Sequence, residues 1–388
     1  MMETDQPPAN RAAISAYTSS HAILDRTSRS QPHPELRPSL HHRTPPPCSQ
    51  RLAATVNDRP YDVARFVKEH SKEETVLYLA YGSNLAYEKF QDPNGRGIKP
   101  LAQINVQVPT LRMTFDLPGI PYIEPCFANS AIREPEHRPF GRDGVDEKSS
   151  LLHGSSRSQD YRKDRWHKGL IGVVYEVTAA DYAHIIATEG GGASYQDILV
   201  DCYPLANDPR DAVPPTPITA PFKAHTLFAP AAPDGEEPPK DGGRFQRPDQ
   251  AYAQASARYL KLLTDGAEEC ELPYEYQEYL HSLHAFTITT MRQRAGQAVM
   301  LATWVPLVLL LFQIAKLFAD ENGVLPDWLS GVFGVTFKAV WISYDMVLKP
   351  IFGEGERTIG DVGDAAEQLS RDGSFDIEKA AVTSNMNR

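Results

Sequence analysis

Residues Val76 to Leu85 read Val-Leu-Tyr-Leu-Ala-Tyr-Gly-Ser-Asn-Leu. The first six, Val76 to Tyr81, form an apolar, aromatic-rich run of strand type. The run stops at Gly82-Ser83-Asn84, residue types suited to a tight turn, and a helix-like segment follows from Leu85 to Phe90. A strand that ends in a small turn before a helix leaves backbone N–H groups free to hold an anion or a developing oxyanion. Gly82 has no Cβ, so a ligand can approach the main chain closely there. Gly-Ser-Asn alone is equally the composition of an ordinary turn, so the longer string and its sequel decide the reading.

The string Tyr78-Leu79-Ala80-Tyr81-Gly82-Ser83-Asn84-Leu85 resembles the N-terminal signature of the γ-glutamylcyclotransferase family, whose members commonly carry a strand ending in Tyr-Gly-Ser-Asn. Two further segments follow in the family's order. One is Gly172-Val173-Val174-Tyr175-Glu176-Val177, with Glu189-Gly190 after it. The other is Tyr259, followed by Leu272-Pro273-Tyr274-Glu275-Tyr276-Gln277. The three cover about residues 75 to 285, with two long interruptions.

A chain of 388 residues holds one large domain with extensions, or two domains. Hydrophobic residues make up 41% and prolines number 32, which points to disordered segments. With 39 basic against 50 acidic residues the formal charge is −11, and no basic stripe with interleaved aromatics is present; nucleic-acid binding is not expected. Cys48, Cys126, Cys202 and Cys270 are far apart, with no Cys-x-x-Cys pair, so neither a zinc site nor a disulfide framework is expected. Four reduced thiols suit a protein facing the cytosol. The N-terminus, Met-Met-Glu-Thr-Asp-Gln-Pro-Pro, has no apolar h-region, so a secretory signal is not expected.

Residues 1–60 are rich in Ser, Pro, His, Arg and Thr without apolar periodicity, and are expected to be disordered. A catalytic domain is expected over 61–290, entered through the amphipathic segment Val63 to Lys68. Leu111 to Phe115 suits a strand, with turns at Pro118-Gly119 and Pro121. Two insertions, about 132–168 and 207–250, interrupt the domain, and the apolar patch Thr226-Leu227-Phe228 within the second reads as a short core strand. Helical spacing runs from Ala251 to Leu263, with Asp265-Gly266 as its stop, and Pro273 opens another helix at Tyr274. Strands and helices mix without a regular βαβ repeat, so the fold class is α+β. The resemblance implies a small mixed β-barrel or curled sheet flanked by helices.

Thr178 follows a strand and precedes Asp181 by three positions, close to a capping box. Tyr182, Ile185, Ile186 and Glu189 then fall at i, i+3, i+4 and i+7, which sets Glu189 in line with an apolar stripe before the glycines at 190–192. A carboxylate partly removed from water suits a proton shuttle near neutral pH. A glutamate at a helix end also simply curls into solvent, and position alone leaves both readings open. The family's catalytic glutamate lies after the second strand and helix, directly before glycine, and the resemblance carries that role to Glu189. Glu176 and Glu124 are weaker candidates.

The resemblance further implies that Tyr78, Leu79, Ala80, Tyr81, Gly82, Ser83 and Asn84 line the substrate and that Tyr259 closes the pocket with its hydroxyl. Tyr195, six residues after Glu189, is a less secure lining residue. In a γ-glutamyl amide, the α-amine attacks the γ-carbonyl, closes a five-membered lactam and expels the amine. One carboxylate performs both proton transfers and backbone N–H groups hold the oxyanion or α-carboxylate. No metal, nucleotide or covalent nucleophile is required, and no cofactor is expected. The Tyr-Gly-Ser-Asn form resembles the branch acting on γ-glutamyl amino acids; the glutathione-specific ChaC branch usually has leucine where Asn84 stands. Cyclisation of glutathione or of a γ-glutamylated biosynthetic intermediate remains an alternative. A non-catalytic, membrane-tethered binding module is another, against which Glu189 argues.

Ala298 to Phe318 carries no acidic residue and only Gln313 and Lys316 interrupt its C-terminal part. At ~1.5 Å per residue it is long enough to cross a hydrocarbon core of about 30 Å, so 298–318 is expected to be a transmembrane helix. Arg292 and Arg294 before it place the catalytic domain on the cytosolic side. A second apolar segment, 331–348, contains Lys338 and Asp345 and is a marginal span or an interfacial helix; the tail 353–388 is polar. All three family segments precede Met291, so a truncation there is expected to release a soluble, active enzyme.

Overall fold

The computed structural model of the protein describes residues 44–71, 74–133, 166–189, 195–229, 253–318 and 325–359. Seven strands are present among them: β1 (Thr75–Ala80), β2 (Ala102–Val108), β3 (Leu111–Ile120), β4 (Glu124–Ile132), β5 (Leu170–Thr178), β6 (Gln196–Pro204) and β7 (Phe222–Phe228). Five of them close a barrel in the order β1-β5-β2-β6-β7, and β3 and β4 form a separate two-stranded sheet. β1 pairs antiparallel with β5 and parallel with β7, which makes the barrel mixed. The expectation of an α+β fold built on a small mixed barrel agrees with this architecture.

The unbroken apolar runs of β1 and β5 follow from burial on both faces. Val76, Tyr78 and Ala80 join Ile171, Val173, Tyr175 and Val177 in one cluster under the helices. Leu77 and Leu79 face the other way and meet Val106, Val174, Val200, Phe222 and Ala224, one face of every barrel strand. Gly172 sits where β1 and β5 approach most closely: a Cβ there would lie 2.4 Å from the Ala80 carbonyl oxygen.

The helices are α1 (Ser49–Ala54), α2 (Val63–Lys68), α3 (Tyr87–Phe90), α4 (Ala179–Thr188), α5 (Ala257–Glu269), α6 (Tyr274–His281), α7 (Met291–Thr303), α8 (Val305–Phe318), α9 (Asp327–Ser343) and α10 (Lys349–Phe352). The described part of the N-terminal region, from residue 44, is folded onto the barrel: the Gln103 N–H donates to Pro45 O and Arg51 to Thr75 O, each at 2.9 Å. Residues 1–43 lie outside the described residues, as do most of the first insertion and part of the second. β3 runs through Pro118-Gly119, where a turn was expected, and the chain turns at Pro121 to Ile123, as expected of Pro121. The sheet of β3 and β4 has only two strands, so Pro118 sits on a strand with a free edge, where the missing donor is tolerated.

α5 passes through Gly266, where a stop was expected. The glycine is spent on proximity, since its Cβ would fall 2.5 Å from the Ala86 N and 2.6 Å from the Leu85 backbone. That contact presses α5 against the turn that follows β1.

The expected single helix over 298–318 is two helices, α7 and α8, broken at Trp304. Pro306 lacks the N–H that would continue the ladder, and it occupies the second position of α8, where that donor has no intrahelical role. The second apolar segment belongs to α9, continued by a π-helical turn at Tyr344–Leu348 and by α10. These helices pack back onto the β3–β4 turn. Tyr122, fully buried and in the left-handed region at φ 62°, donates its N–H to Gly355 O at 2.7 Å and its O–H to Gly353 O at 2.6 Å. Met300, Val340, Trp341 and Tyr344 surround it, and Trp341 donates to Gly119 O at 3.1 Å. The chain then returns beside α5: Gln254 N–H donates to Glu356 O and Thr358 N–H to Gln254 Oε1. The C-terminal helices are therefore built into the fold, and the expectation that a truncation before Met291 leaves an intact enzyme does not survive these contacts.

Candidate active site

β1 delivers the chain to Tyr81-Gly82, and residues Ser83–Leu85 coil into one 3-10 turn. The Leu85 and Ala86 N–H groups close that turn on Gly82 O and Ser83 O, whereas the Ser83 and Asn84 N–H groups make no backbone bond among the described residues. The turn borders a cavity lined by Tyr78, Tyr81, Gly82, Ser83, Asn84, Glu189 and Tyr195. Ala128 of β4, Thr226 and Leu227 of β7, and Tyr259 of α5 complete it.

Glu189 reaches this cavity because α4 stops one residue earlier. Thr178 caps the helix, its hydroxyl accepting the Asp181 N–H at 3.0 Å, and Tyr182, Ile185 and Ile186 are buried as the spacing requires. Glu189 itself is extended, at φ −85° and ψ 125°, while its N–H still donates to Ile185 O. Its Oε1 accepts Nδ2 of Asn84 at 2.8 Å and an Arg96 guanidinium N–H at 2.5 Å. The sequence expectation was of a carboxylate set apart from water by an apolar stripe. What stands beside it is a cation, whose charge matches the ionised form.

Arg96 was not singled out by the sequence. It is supplied by the loop between α3 and β2, its side chain is 5% exposed, and it bonds Asn84 Oδ1 at 3.1 Å as well as Glu189. The one signal available was the run Asn94-Gly95-Arg96-Gly97, a turn-like tetrad around a lone arginine.

Four tyrosine hydroxyls converge on the cavity. Tyr78 accepts the second Asn84 Nδ2 hydrogen at 2.9 Å, and Tyr81 donates to Ser130 Oγ at 3.1 Å. The Tyr259 oxygen accepts the Ala128 N–H at 3.1 Å. Burial, reinforced by the Glu189 charge, raises the hydroxyl pKa of Tyr78, Tyr81, Tyr195 and Tyr259 far above the ordinary tyrosine value. All four remain neutral O–H groups at physiological pH.

Leu79 and Ala80, which the resemblance placed against substrate, do not line the cavity. Leu79 points into the barrel and Ala80 into the cluster under the helices, because residues between the ends of a central strand are covered on both faces. Glu176 is bonded by Thr75 Oγ1 at 2.7 Å at the opposite end of β1, and Glu124 is paired with Arg258 at 2.6 Å; neither borders the cavity. Residues 190–194, which carry the three glycines, lie outside the described residues.

Comparison with known proteins bears on this arrangement. A family model described as the AclK C-terminal domain matches residues 290–351, the stretch of α7 to α10. The γ-glutamyl cyclotransferase gliK of Aspergillus fumigatus is 31% identical over 282 residues, covering 72% of this chain and 89% of its own length. The γ-glutamyl cyclotransferase aclK of Aspergillus oryzae is 27% identical over 295 residues, covering 74% and 92%. The γ-glutamyl cyclotransferase verK of Clonostachys rogersoniana is 34% identical over 165 residues, covering 42% and 79%.

Proposed function

The chain belongs to the γ-glutamyl cyclotransferase family, and on that premise we propose that it releases 5-oxoproline from a γ-glutamyl amino acid or amine, with Glu189 as the acid–base group. The observation that carries this reading is the position of the Glu189 carboxylate, held by Asn84 at 2.8 Å on the same cavity as the Ser83 and Asn84 N–H groups, which make no backbone bond among the described residues. In this reading the substrate γ-carbonyl oxygen lies against those N–H groups. The α-ammonium gives a proton to Glu189, the freed amine attacks the γ-carbon, and a tetrahedral oxyanion forms against the backbone donors. Glu189 then passes the proton to the departing nitrogen as the C–N bond breaks, and takes up the second proton that the ring nitrogen sheds on becoming the lactam N–H, which the released amine carries away as an ammonium. Five-membered ring closure is intramolecular, so holding the γ-glutamyl chain folded contributes much of the acceleration. The Tyr78 and Tyr259 hydroxyls, whose oxygens already accept hydrogen bonds, have their own protons available for substrate oxygens.

The test is release of 5-oxoproline by the full-length protein across a panel of γ-glutamyl amino acids, γ-glutamyl amines and glutathione, with Glu189→Gln as control. Turnover of one class that is lost in the control supports the reading. Equal turnover by the control, or none on the whole panel, refutes it.

The same proposal includes a membrane anchor. Leu307, Leu309, Leu310, Phe312, Leu317 and Phe318 of α8 and Trp328, Val332 and Val335 of α9 are exposed, and the helical stretches Met291–Ala315, through α7 and α8, and Gly331–Phe352, through α9 and α10, are long and apolar enough to cross a bilayer. α8 and α9 form a hairpin, with Phe312 against Phe333 and Phe318 against Trp328. The flanking helices pack on the β3–β4 turn, and in this reading Arg292 and Arg294, at the start of α7, favour the cytosolic side for the catalytic domain. Membrane pelleting that resists carbonate, with protease digestion of the catalytic domain in sealed microsomes, is the expected result. A full-length protein soluble without detergent refutes the anchor.

A further inference from the structure

We infer that Arg96, together with Asn84, determines which oxygen of Glu189 transfers the proton; the inference rests on the cyclotransferase reading of this site and assigns Arg96 as a positioning residue within it. Oε1 of Glu189 accepts both Asn84 Nδ2, at 2.8 Å, and an Arg96 N–H, at 2.5 Å. Oε2 accepts no hydrogen bond among the described residues. Asn84 is in turn fixed from both sides, since its Oδ1 accepts Arg96 Nε at 3.1 Å and its Nδ2 also donates to Tyr78. The three side chains form a closed ring in which Oε1 is saturated and Oε2 is left for substrate.

The loop that carries Arg96 is built to hold it. Arg96 N–H donates to Lys89 O, Ile98 N–H to Phe90 O, and Gly95 and Gly97 N–H both to Asp92 O. Gly97 is in the left-handed region at φ 69°, and a Cβ at Gly95 would lie 2.4 Å from Glu88 O. The guanidinium that results is 5% exposed and also bonds Thr188 Oγ1 and, at 3.5 Å, Ile185 O at the C-terminal end of α4. It thus ties the end of that helix and the carboxylate that follows it to one rigid anchor. Arg96 does not border the cavity itself, so it acts through Glu189 and not on substrate.

In the reaction, Oε2 takes the proton of the α-ammonium while Oε1 keeps its two donors. The amine lone pair forms the new C–N bond, Oε2–H protonates the leaving nitrogen as the old bond breaks, and the regenerated carboxylate takes the second proton that the ring nitrogen sheds, passing it to the released amine, which departs as its ammonium form. A carboxylate free to rotate would lose this alignment, and misplacement of that kind is costly to a near-attack geometry. The other groups whose charge bears on Glu189 are the hydroxyls of Tyr78, Tyr81, Tyr195 and Tyr259, all neutral, and the Lys89 ammonium. Lys89 has no ion pair among the described residues, and burial and repulsion by Arg96 lower its pKa. Arg96 is therefore the cation that directly contacts the carboxylate.

Full-length Arg96→Gln and Arg96→Lys are compared with wild type by steady-state kinetics, by 5-oxoproline affinity and by crystal structures that fix the Glu189 side chain. Arg96→Gln is expected to lower kcat by ~10- to 100-fold while KM and 5-oxoproline affinity stay within about threefold, with the Glu189 carboxylate turned away from Asn84. Arg96→Lys does not restore kcat, since lysine keeps the charge and loses the fork. A kcat within about threefold of wild type in the Gln variant, or a Glu189 carboxylate unmoved in it, overturns the inference. If wild type turns over no γ-glutamyl compound, the cyclotransferase reading fails on its own, and the position of the carboxylate in Arg96→Gln still decides whether Arg96 holds it.

Discussion

Tyr259 and Ala128 meet across the cavity, the tyrosine oxygen accepting the Ala128 N–H at 3.1 Å and leaving its own proton unspent. One contact thereby joins α5 to the β3–β4 sheet and holds the Tyr259 hydroxyl at the cavity. Tyr259→Phe removes both functions. We expect kcat/KM to fall by ~10-fold or more and stability by about 1 kcal/mol, the worth of one buried backbone hydrogen bond. Kinetics paired with thermal unfolding checks this; a variant with wild-type kcat/KM would show that the hydroxyl only braces the sheet.

Glu189→Gln keeps the size of the side chain and can still accept from Asn84, so fold and ligand binding are expected to persist. Turnover is expected to drop by ~10²-fold or more, the scale of a lost acid–base group. Retention of more than about a third of wild-type kcat, with 5-oxoproline affinity unchanged, would remove Glu189 from the chemistry.

At Gly82 the available room is small: an added Cβ would lie 3.5 Å from the Tyr259 hydroxyl and 3.8 Å from the Ala128 Cβ. Gly82→Ala fits at ordinary contact distance, but the two γ-carbons of Gly82→Val project into the cavity. Calorimetry should find 5-oxoproline binding kept in Ala and abolished in Val. Equal binding by both would mean that the ligand sits elsewhere.

Alkaline pH offers a test of burial. Tyr78, Tyr81, Tyr175, Tyr182, Tyr259 and Tyr276 have hydroxyl pKa values raised above the usual 10.0, and burial pushes the Cys270 thiol from 9.0 up to about 12. A raised folded-state value means that the unfolded chain loses its proton first. The stabilisation is complete below the unfolded values and is lost as pH rises through the folded ones. Thermal midpoints are expected to be flat near neutrality and to fall steadily above about pH 9. A flat profile to about pH 11 would contradict the burial of these groups.

Removal of residues after Thr290 strips Tyr122 of its bonds to Gly353 and Gly355 and Gln254 of its bonds to Glu356 and Thr358. Since Tyr122 joins β3 to β4, and β4 carries Ala128, the loss reaches the cavity wall. The truncated protein is expected to unfold at least about 5 °C lower and to turn over more slowly than full-length protein in detergent. Equal midpoints would make the C-terminal helices a separable tail.

The chain's local signals were legible where neighbours in sequence settle the conformation. The apolar run before Gly82, the Thr178 cap of α4 and the stripe leading to Glu189 each depend on residues within a few positions of one another. The helix expected to stop at Asp265-Gly266 was misread because a glycine used for close approach looks the same in sequence as one used to end a helix. Leu79 and Ala80 were misplaced because a strand's alternation says that two faces exist, not which of them a ligand shares.

By itself, then, the sequence determined the strand–turn–helix element, the helix that leads to Glu189 and the α+β class, since periodicity, capping and turn chemistry act over a few residues; the mixed barrel was only what the family resemblance implied. Only the tertiary structure decided that Arg96 meets Glu189 across 93 residues of chain, that Ala128 meets Tyr259 across 131, and that the C-terminal helices return to hold Tyr122. Those pairings are between polar groups buried together, each tolerable only because the other is present. That mutual requirement leaves no periodic trace along the chain, and it appears only when the barrel has closed.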